Sequence, residues 1–353
     1  MPYLLVFAIA LAGTWLLTPA LTEFCHWRKI LDWPGARKLH QTPTPRLGGL
    51  VLFISAISAW FLAYIIWPTL WQESRSLILW LALGASIIFA LGLWDDLKPL
   101  RFRYKIMLQI LTGIMLIWAG LRVNLLFIPF WQPVKLGWLS YPVTMLWFLA
   151  LLNSVNLIDG LDGLAAGVSV ISAATLLLVG LHYEAYLVAL IMAGVVGVGL
   201  GFLKFNFSPA KIFMGDSGAL FLGYLFAVSS LICPIKSYTA VALFVPLVAL
   251  GLPLLETASS FLRRTLGLRK FYAADNQHLY NLLLDFGLSS RKTVIIFYLF
   301  SILFSILSLI LMFKGGALFL PILSLVVAMV LVVSLVSYIL GKRMPSKSKK
   351  ALV

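Results

Sequence analysis

Long apolar runs separated by short polar segments make up most of this chain. Eleven runs approach the roughly 20 residues that cross a bilayer as a helix. They cover 2–24, 47–67, 76–94, 104–122, 138–158, 163–182, 185–203, 217–233, 239–260, 293–313 and 316–340. The pattern predicts an all-α integral membrane protein of about eleven transmembrane helices, with one transmembrane domain over 1–341 and a basic cytoplasmic tail over 342–353.

The composition agrees with the pattern, since 62% of the 353 residues are hydrophobic and 11% are charged. A soluble domain does not hide that much apolar surface in one core. The first run has no basic residue before its apolar stretch, whereas Arg28 and Lys29 follow it. It is therefore predicted to be a retained helix with its N-terminus outside, not a signal peptide. Eleven crossings then place the C-terminus in the cytoplasm.

The basic residues provide an independent test of this topology. The predicted cytoplasmic segments hold all but five of the 27 Lys and Arg residues. The five others are Arg75, Arg122, Lys135, Lys236 and Lys314. This bias follows the positive-inside rule, and we expect the remaining basic surface to face anionic headgroups of the lipid bilayer, not nucleic acid. Cys25 and Cys233 fall on opposite sides of the membrane, which excludes a disulfide between them.

The aspartates gather on the same side, although orientation does not require acidic residues there. All eight lie at or near the predicted cytoplasmic ends of helices or in predicted cytoplasmic loops: Asp32, Asp95, Asp96, Asp159, Asp162, Asp216, Asp275 and Asp285. Asp95 and Asp96 end the third span, where two carboxylates oppose the helix macrodipole. Because carboxylates at membrane depth are costly and usually mark a site, we interpret this pair as metal or phosphate chemistry and not as a solvated helix end.

Polar residues recur at every third position where the fifth span ends. They are Asn153, Asn156, Asp159 and Asp162. At about 100° per residue, the first two lie on one flank of a helix and the last two on the next flank. A break at Gly160 and Gly163 would draw all four toward one point, and broken membrane helices are tolerated where they line a protein cavity or water.

The segment Phe213–Gly218 opens the eighth span. Its glycines allow the backbone to approach a ligand closely, and Asp216 and Ser217 supply oxygens. Alone, the segment is also typical of a helix N-cap. Together with the other acidic elements it predicts a shared site for Mg²⁺ or Mn²⁺, since oxygen donors without nearby His or Cys suit these ions. Magnesium commonly completes its shell with phosphate oxygens, which predicts a phosphate ester as the substrate.

Basic residues adjoin this face, and most are explained by the positive-inside bias alone. They include Arg37, Lys38, His40, Arg46, Arg263, Arg264, Arg269, Lys270 and His278. Lys105 differs from them because it lies at a helix start, nine residues after Asp96. We predict Lys105 to be a phosphate ligand.

These motifs, in this order, resemble the polyprenyl-phosphate N-acetylhexosamine-1-phosphate transferases, of which the undecaprenyl-phosphate N-acetylglucosaminyl-1-phosphate transferases are one branch. The matching segments are Arg37–Gly49, Asp95-Asp96, Asn153–Leu164 and Asn206–Gly218. The resemblance implies Mg²⁺ on Asn156 and Asp216, with Asp95 and Asp96 near the reacting phosphates and Asp159 supporting them. It also implies contacts with the substrates: pyrophosphate on Lys105, uridine on Asp162, Asn206 and Phe213, and further substrate contacts on Arg264 and His278.

One segment departs from the family's pattern. Where the family usually has a histidine-rich motif in the long cytoplasmic loop, this chain keeps His278 and has Tyr280 and Asn281. The choice of donor sugar is therefore open, although the segment disfavours a muramyl-pentapeptide donor, whose branch has consecutive histidines there.

The resemblance implies that a membrane-embedded polyprenyl (undecaprenyl) phosphate takes an N-acetylhexosamine 1-phosphate, most simply GlcNAc 1-phosphate, from a UDP-sugar and releases UMP. This reaction would start a lipid-linked cell-surface glycan at the cytoplasmic face of the plasma (inner) membrane. Direct attack is our hypothesis, and a covalent phospho-enzyme on Asp95 or Asp96 is the alternative. A secondary transporter is the rival function, and a scaffold without activity is a weaker one. Whether the protein forms a homodimer is left open.

Overall fold

The computed structural model describes residues 1–35, 42–69, 71, 75–126, 134–236, 248–266 and 279–314, together with 318, 320–322, 324–329, 331–332 and 335. The helices of these ranges follow one another in chain order. They are α1 (Pro2–Arg28), α2 (Gly48–Ile66), α3 (Arg75–Leu97), α4 (Phe102–Trp118), α5 (Ser140–Ile158), α6 (Leu164–His182), α7 (Tyr186–Asn206), α8 (Gly215–Lys236), α9 (Gly251–Leu266), α10 (Leu279–Asp285) and α11 (Ser290–Lys314).

The described chain is an all-α, multi-pass membrane protein. Eight of its helices are long and apolar enough to cross a bilayer, namely α1, α2, α3, α5, α6, α7, α8 and α11. The predicted span 104–122 corresponds to α4, which has 17 residues. The predicted spans 239–260 and 316–340 lie partly outside the described residues, and the basic tail lies entirely outside them. The number eleven and the orientation therefore stay predictions.

Helix α8 occupies the centre of the bundle and is buried along nearly all of its apolar length. It packs against α2, α3 and α5, while α1 packs against α7 and α2 and leaves much of its surface exposed. The hydroxyl of Tyr224 donates to the Leu81 carbonyl at 2.8 Å, which gives this buried polar group a partner. Helix α8 begins at Gly215. Its first turn lies beside the end of α3, which carries acidic residues.

Close contact at Gly92 brings α3 onto the first turn of α8. A Cβ at Gly92 would lie 2.5 Å from the Ser217 Cα and 2.6 Å from its nitrogen. Any larger residue would push the two helices apart, because real Cβ atoms do not approach other atoms so closely. Glycine at this position therefore sets the distance between the end of α3, with Asp95 and Asp96, and the start of α8.

Two short antiparallel pairs connect the helices. Strand β1 (Leu31–Asp32) pairs with β2 (Thr44–Pro45), and β3 (Leu125–Leu126) pairs with β4 (Val134–Lys135). The backbone just after β2 also fastens onto the segment before α8. There Phe213 N–H donates to the Pro45 carbonyl at 2.8 Å, and Gly48 N–H donates to the Phe213 carbonyl at 2.9 Å. The starts of α2 and α8 are thus held side by side.

The break predicted after the fifth apolar run is confirmed. Helix α5 ends at Ile158 and α6 begins at Leu164. Gly163 has φ of 80°, a left-handed conformation that glycine adopts without a Cβ penalty. The loop 159–163 therefore reverses the chain between the end of α5 and the start of α6, beside the start of α8.

Candidate active site at the ends of α3, α5 and α8

Asp96 acts as an N-cap for α8 from a different helix. Its Oδ1 accepts from Asp216 N–H at 2.8 Å, and its Oδ2 accepts from Ser217 N–H at 3.0 Å and from the Ser217 hydroxyl at 2.6 Å. The first amides of a helix have no partner within the helix and favour a negative charge. The Asp96 side chain is fully buried. It therefore orders the start of α8, which carries Asp216.

Lys105 joins two of the predicted site residues directly. Its Nζ lies 2.6 Å from Asp95 Oδ2 and 2.8 Å from Asp216 Oδ2. The other oxygen of Asp95, Oδ1, accepts from Leu100 N–H at 2.7 Å and so fixes the turn between α3 and α4. Asp95, Lys105 and Asp216, which the sequence assigned to one site, are therefore in direct contact.

Arg46 is a second cation in the same cluster, and in the sequence it is one of many basic residues on the predicted cytoplasmic side. Its Nε lies 3.3 Å from Asp96 Oδ1, and its Nη2 lies 3.7 Å from Asp216 Oδ1. The sequence signals for it are its place in the matching segment Arg37–Gly49 and its position two residues before Gly48, at the start of a span. Asp216 is thus approached by Lys105 at one carboxylate oxygen and by Arg46 at the other.

Asp159 lies in the break between α5 and α6 and experiences an excess of negative charge. Burial of its carboxyl group, together with the charges of Asp216, Asp96 and Asp162, raises its pKa to about 8. Arg46 acts in the opposite direction but does not compensate for them. The loop 159–163 is therefore close enough to the Asp96–Asp216 cluster to share its electrostatic field.

Asp162 and Asn206 fasten this loop to the segment before α8. Asp162 Oδ2 accepts from Ala210 N–H at 3.0 Å. The Asn206 carbonyl oxygen accepts from Gly163 N–H at 3.0 Å, and its amide nitrogen donates to the Ile212 carbonyl at 2.9 Å. Since Asn206 is buried and both ends of its amide are engaged, it holds the two loops together. Phe213, predicted to stack on uracil, belongs to this second loop and is partly buried.

Tyrosines from α10 and α11 brace the loop from the other side. The Tyr298 hydroxyl donates to the Gly163 carbonyl at 2.6 Å. The Tyr280 ring lies against Gly160, where any Cβ would collide with it. Leu279, at the start of α10, donates its N–H to the buried Glu256 carboxylate at 3.1 Å. Sequence reasoning missed these supporting residues because each acts across a long separation in the chain.

The expectation that four polar residues converge was wrong for Asn153. Its side chain exchanges hydrogen bonds with Gln109 of α4, at 2.9 and 3.3 Å, and also donates to the Leu149 carbonyl. This pairing satisfies a buried amide and directs Asn153 toward α4. Asn156 is different, because its side chain is partly exposed and has no hydrogen-bond partner among the described residues.

The residues present fit a magnesium ion whose coordination shell is completed by oxygens of the substrate. Five carboxylates (Asp95, Asp96, Asp159, Asp162 and Asp216) share this region with the two cations Arg46 and Lys105. Burial raises the pKa of Asp159 most, and the neighbouring carboxylates raise it further; a bound cation would offset the effect of these charges. No three acidic, cysteine or histidine side chains in the described part of the chain form a metal-binding group. Mg²⁺ typically takes one or two carboxylates, with waters and phosphate oxygens for the rest.

Several predicted residues lie outside what the structure describes. These are Arg37, Lys38, His40, His278 and the side chain of Arg264. Their predicted roles in substrate binding stay predictions.

Known proteins match this chain over most of its length. The family model for glycosyl transferase family 4 matches residues 78–234, which include Asp95, Lys105, Asn156 and Asp216. The chain is 37% identical over 306 residues to a probable undecaprenyl-phosphate N-acetylglucosaminyl 1-phosphate transferase of Bacillus subtilis (strain 168), covering 86% of this chain and 84% of the relative.

Two further relatives differ in the sugar that their names give. The chain is 34% identical over 296 residues to a decaprenyl-phosphate N-acetylglucosaminephosphotransferase of Mycobacterium tuberculosis (strain ATCC 25618 / H37Rv), covering 76% of this chain and 72% of the relative. It is 30% identical over 338 residues to a phospho-N-acetylmuramoyl-pentapeptide-transferase of Lactobacillus acidophilus, covering 88% and 99%. By these matches the chain belongs to the polyprenyl-phosphate N-acetylhexosamine-1-phosphate transferases of glycosyl transferase family 4, and it is a phosphoglycosyltransferase.

Proposed function

We propose that this protein transfers N-acetylglucosamine 1-phosphate from UDP-N-acetylglucosamine to undecaprenyl phosphate, with Mg²⁺, and releases UMP. The observation that carries the proposal is the Asp216 carboxylate, held between Lys105 and Arg46 at the first turn of the central helix. A cluster of paired charges at a helix end suits two anionic substrates that must be brought together. The product would begin a lipid-linked cell-surface glycan at the cytoplasmic face of the plasma membrane.

The bonds that change are those of the donor's β-phosphorus. An oxygen of the acceptor phosphate attacks this phosphorus, and the bond to the oxygen shared with the α-phosphorus breaks. The new bond is the pyrophosphate of the lipid product, and the leaving group is UMP. Phosphoryl transfer of this kind depends mainly on in-line positioning and charge neutralisation.

The chain's residues supply both requirements. Lys105 and Arg46 offer positive charge to the phosphates, while Asp95 and Asp96 hold these cations in place. Asn156 and Asp216 would hold the magnesium ion, which neutralises phosphate oxygens when bound. The loops that carry Asp162 and Phe213, fastened together by Asn206, would receive the uridine.

Direct attack by the acceptor is favoured over a covalent phospho-enzyme. Both oxygens of Asp95 are engaged by Leu100 and Lys105, and the Asp96 side chain is fully buried against α8. Neither carboxylate is presented as a nucleophile. In Asp95→Asn and Asp96→Asn, we expect reduced transfer, and in the wild-type protein no exchange of UMP into UDP-N-acetylglucosamine when the acceptor is absent. Robust exchange without acceptor would overturn direct attack.

The transporter alternative is not supported. Transport sites lie near the bilayer midplane between internal repeats, whereas the acids here cluster where α3 and α5 end and α8 begins. The relatives are named as transferases.

The test is an assay of the purified protein in lipid nanodiscs. Radiolabelled UDP-N-acetylglucosamine, undecaprenyl phosphate and Mg²⁺ should yield a labelled lipid and one UMP for each lipid formed, and EDTA should stop both. Parallel reactions with UDP-N-acetylgalactosamine and with the UDP-muramyl-pentapeptide decide the donor. A lipid product from either of these, with none from UDP-N-acetylglucosamine, would refute the proposed donor.

A further inference from the structure

Two cations occupy the two oxygens of the same carboxylate. Lys105 Nζ lies 2.8 Å from Asp216 Oδ2, and Arg46 Nη2 lies 3.7 Å from Asp216 Oδ1. Each cation also has a second carboxylate, since Lys105 contacts Asp95 and Arg46 contacts Asp96. Either cation can therefore leave Asp216 and still keep an ion pair.

The Arg46 backbone is fixed while its guanidinium remains accessible. Pro45 accepts from Phe213 N–H, and Gly49 N–H donates to the Met214 carbonyl at 2.8 Å, so the chain on both sides of Arg46 is fastened to the start of α8. The side chain is 32% exposed, whereas that of Asp96 is fully buried. A guanidinium has five N–H donors. Its contacts with Asp96 and Asp216 therefore leave donors on the open side of the cluster.

A divalent cation on Asp216 competes with both residues for the same two oxygens. A metal ion bound at about 2.1 Å would repel a neighbouring ammonium or guanidinium strongly at such short range. A metal ion on either oxygen of Asp216 therefore displaces the cation beside that oxygen, with Asp95 and Asp96 as the remaining anchors. The groups so released are then available to the phosphates of the proposed reaction.

We propose that Arg46 is a phosphate-binding residue of the reaction and that, together with Lys105, it serves as an internal counter-ion of Asp216 until a metal ion replaces it. The inference rests on the proposed function, because it assigns the released guanidinium to a phosphate of the nucleotide sugar. Arg46 has two roles in it. It weakens metal binding when the nucleotide is absent, and it strengthens nucleotide binding when the metal is present.

These roles make opposite predictions for one substitution. In Arg46→Met, Mn²⁺ should bind several-fold more tightly in the absence of nucleotide, as measured by electron paramagnetic resonance of free Mn²⁺. The affinity for UDP-N-acetylglucosamine with saturating Mg²⁺, measured by calorimetry, should fall roughly ten- to hundredfold, the effect of losing a hydrogen bond to a charged group. Arg46→Lys should recover part of the nucleotide affinity.

The control is Arg101→Met, which removes an exposed arginine near the start of α4 that makes no described ion pair. It should change neither affinity. Arg46→Gln provides the same comparison if the methionine variant fails to fold in a thermal unfolding assay. Unchanged or weaker Mn²⁺ binding in the Arg46 variants, or unchanged nucleotide affinity, would overturn the inference. If the wild-type protein binds no UDP-N-acetylglucosamine at all, the proposed function fails instead.

Discussion

Two neighbouring groups of aspartates are stabilised in different ways. At the junction of α3 and α8, Asp95, Asp96 and Asp216 each contact a cation, and Asp96 also accepts from the first amides of α8. In the loop between α5 and α6, Asp162 accepts from a backbone amide. Asp159 is left with a pKa raised to about 8 by burial and by its negative neighbours.

The α3–α8 junction is held together by its own charged residues, whereas the loop 159–163 is held by residues of other elements. The α3–α8 junction has paired ions, an N-cap and a close glycine contact. The loop 159–163 is fixed from outside, by Asn206, Tyr280 and Tyr298. We therefore expect substitutions at the junction to lower both folding stability and transfer activity. Substitutions in the loop should change stability and activity by different amounts or in opposite directions.

The largest effect is expected from Asp216→Asn. The variant removes the charge that both Lys105 and Arg46 contact, and it removes a predicted metal ligand. Transfer of radiolabelled sugar to lipid should fall by a factor of about 10² to 10³ or more, the scale seen when one group that stabilises developing charge is lost. The matched control is Asp285→Asn at the end of α10, an aspartate with no described partner. Retained turnover in Asp216→Asn would remove this carboxylate from the site.

Asp95 and Asp96 should differ in stability although they are adjacent. Asp96→Ala leaves two amides and a hydroxyl at the start of α8 without their acceptor, whereas Asp95→Ala leaves one amide, that of Leu100. We expect Asp96→Ala to cost about 2 kcal/mol more in free energy of unfolding. Thermal unfolding in detergent without ligands measures the difference. Equal melting temperatures would show that the cap does not order α8.

The sequence predicted the helices well because each apolar run must be about as long as the bilayer is thick. The predicted runs 163–182 and 185–203 correspond to α6 (Leu164–His182) and α7 (Tyr186–Asn206). The pairing of Leu31–Asp32 with Thr44–Pro45 was not predicted, since strands of two residues have no alternating pattern to detect.

The site was predictable as a set of residue types but not as a set of contacts. Asp95 and Asp216 were identified because carboxylates at membrane depth are costly, and Lys105 because it lies at a helix start close to the aspartates in sequence. The sequence cannot show that Gln109 engages Asn153, or that Asp96 caps a helix that begins 119 residues later at Gly215. Arg46 was hidden among basic residues that topology already explained.

Gly160→Ala tests whether the loop is braced from outside. A methyl group there collides with the Tyr280 ring, so the loop or α10 must shift, which typically costs about 1–3 kcal/mol. Transfer activity should fall, and the second substitution Tyr280→Ala should restore part of it by making room. The control is Gly35→Ala, where an added Cβ meets no atom within 4 Å. If the double variant is no more active than Gly160→Ala, the collision with Tyr280 is not the cause of the lost activity.

The smallest effect is expected from Asp159→Asn, and it should have opposite signs for stability and activity. Because the folded-state pKa of about 8 lies above the ordinary value of 3.8, the folded protein holds a proton that the unfolded chain has lost between these pH values. The wild-type stability contributed by this group therefore falls as pH rises from about 4 to 8, and the neutral amide removes that loss. In EDTA, the variant should melt at the same temperature as the wild type near pH 4 and about 2–4 °C higher at pH 8, for an effect on the order of 1 kcal/mol. Its transfer activity should nevertheless fall, since the negative potential that destabilises the loop is the one that would attract the metal ion. A variant that is no more stable than the wild type at pH 8 would show that the two groups of aspartates are equally well compensated.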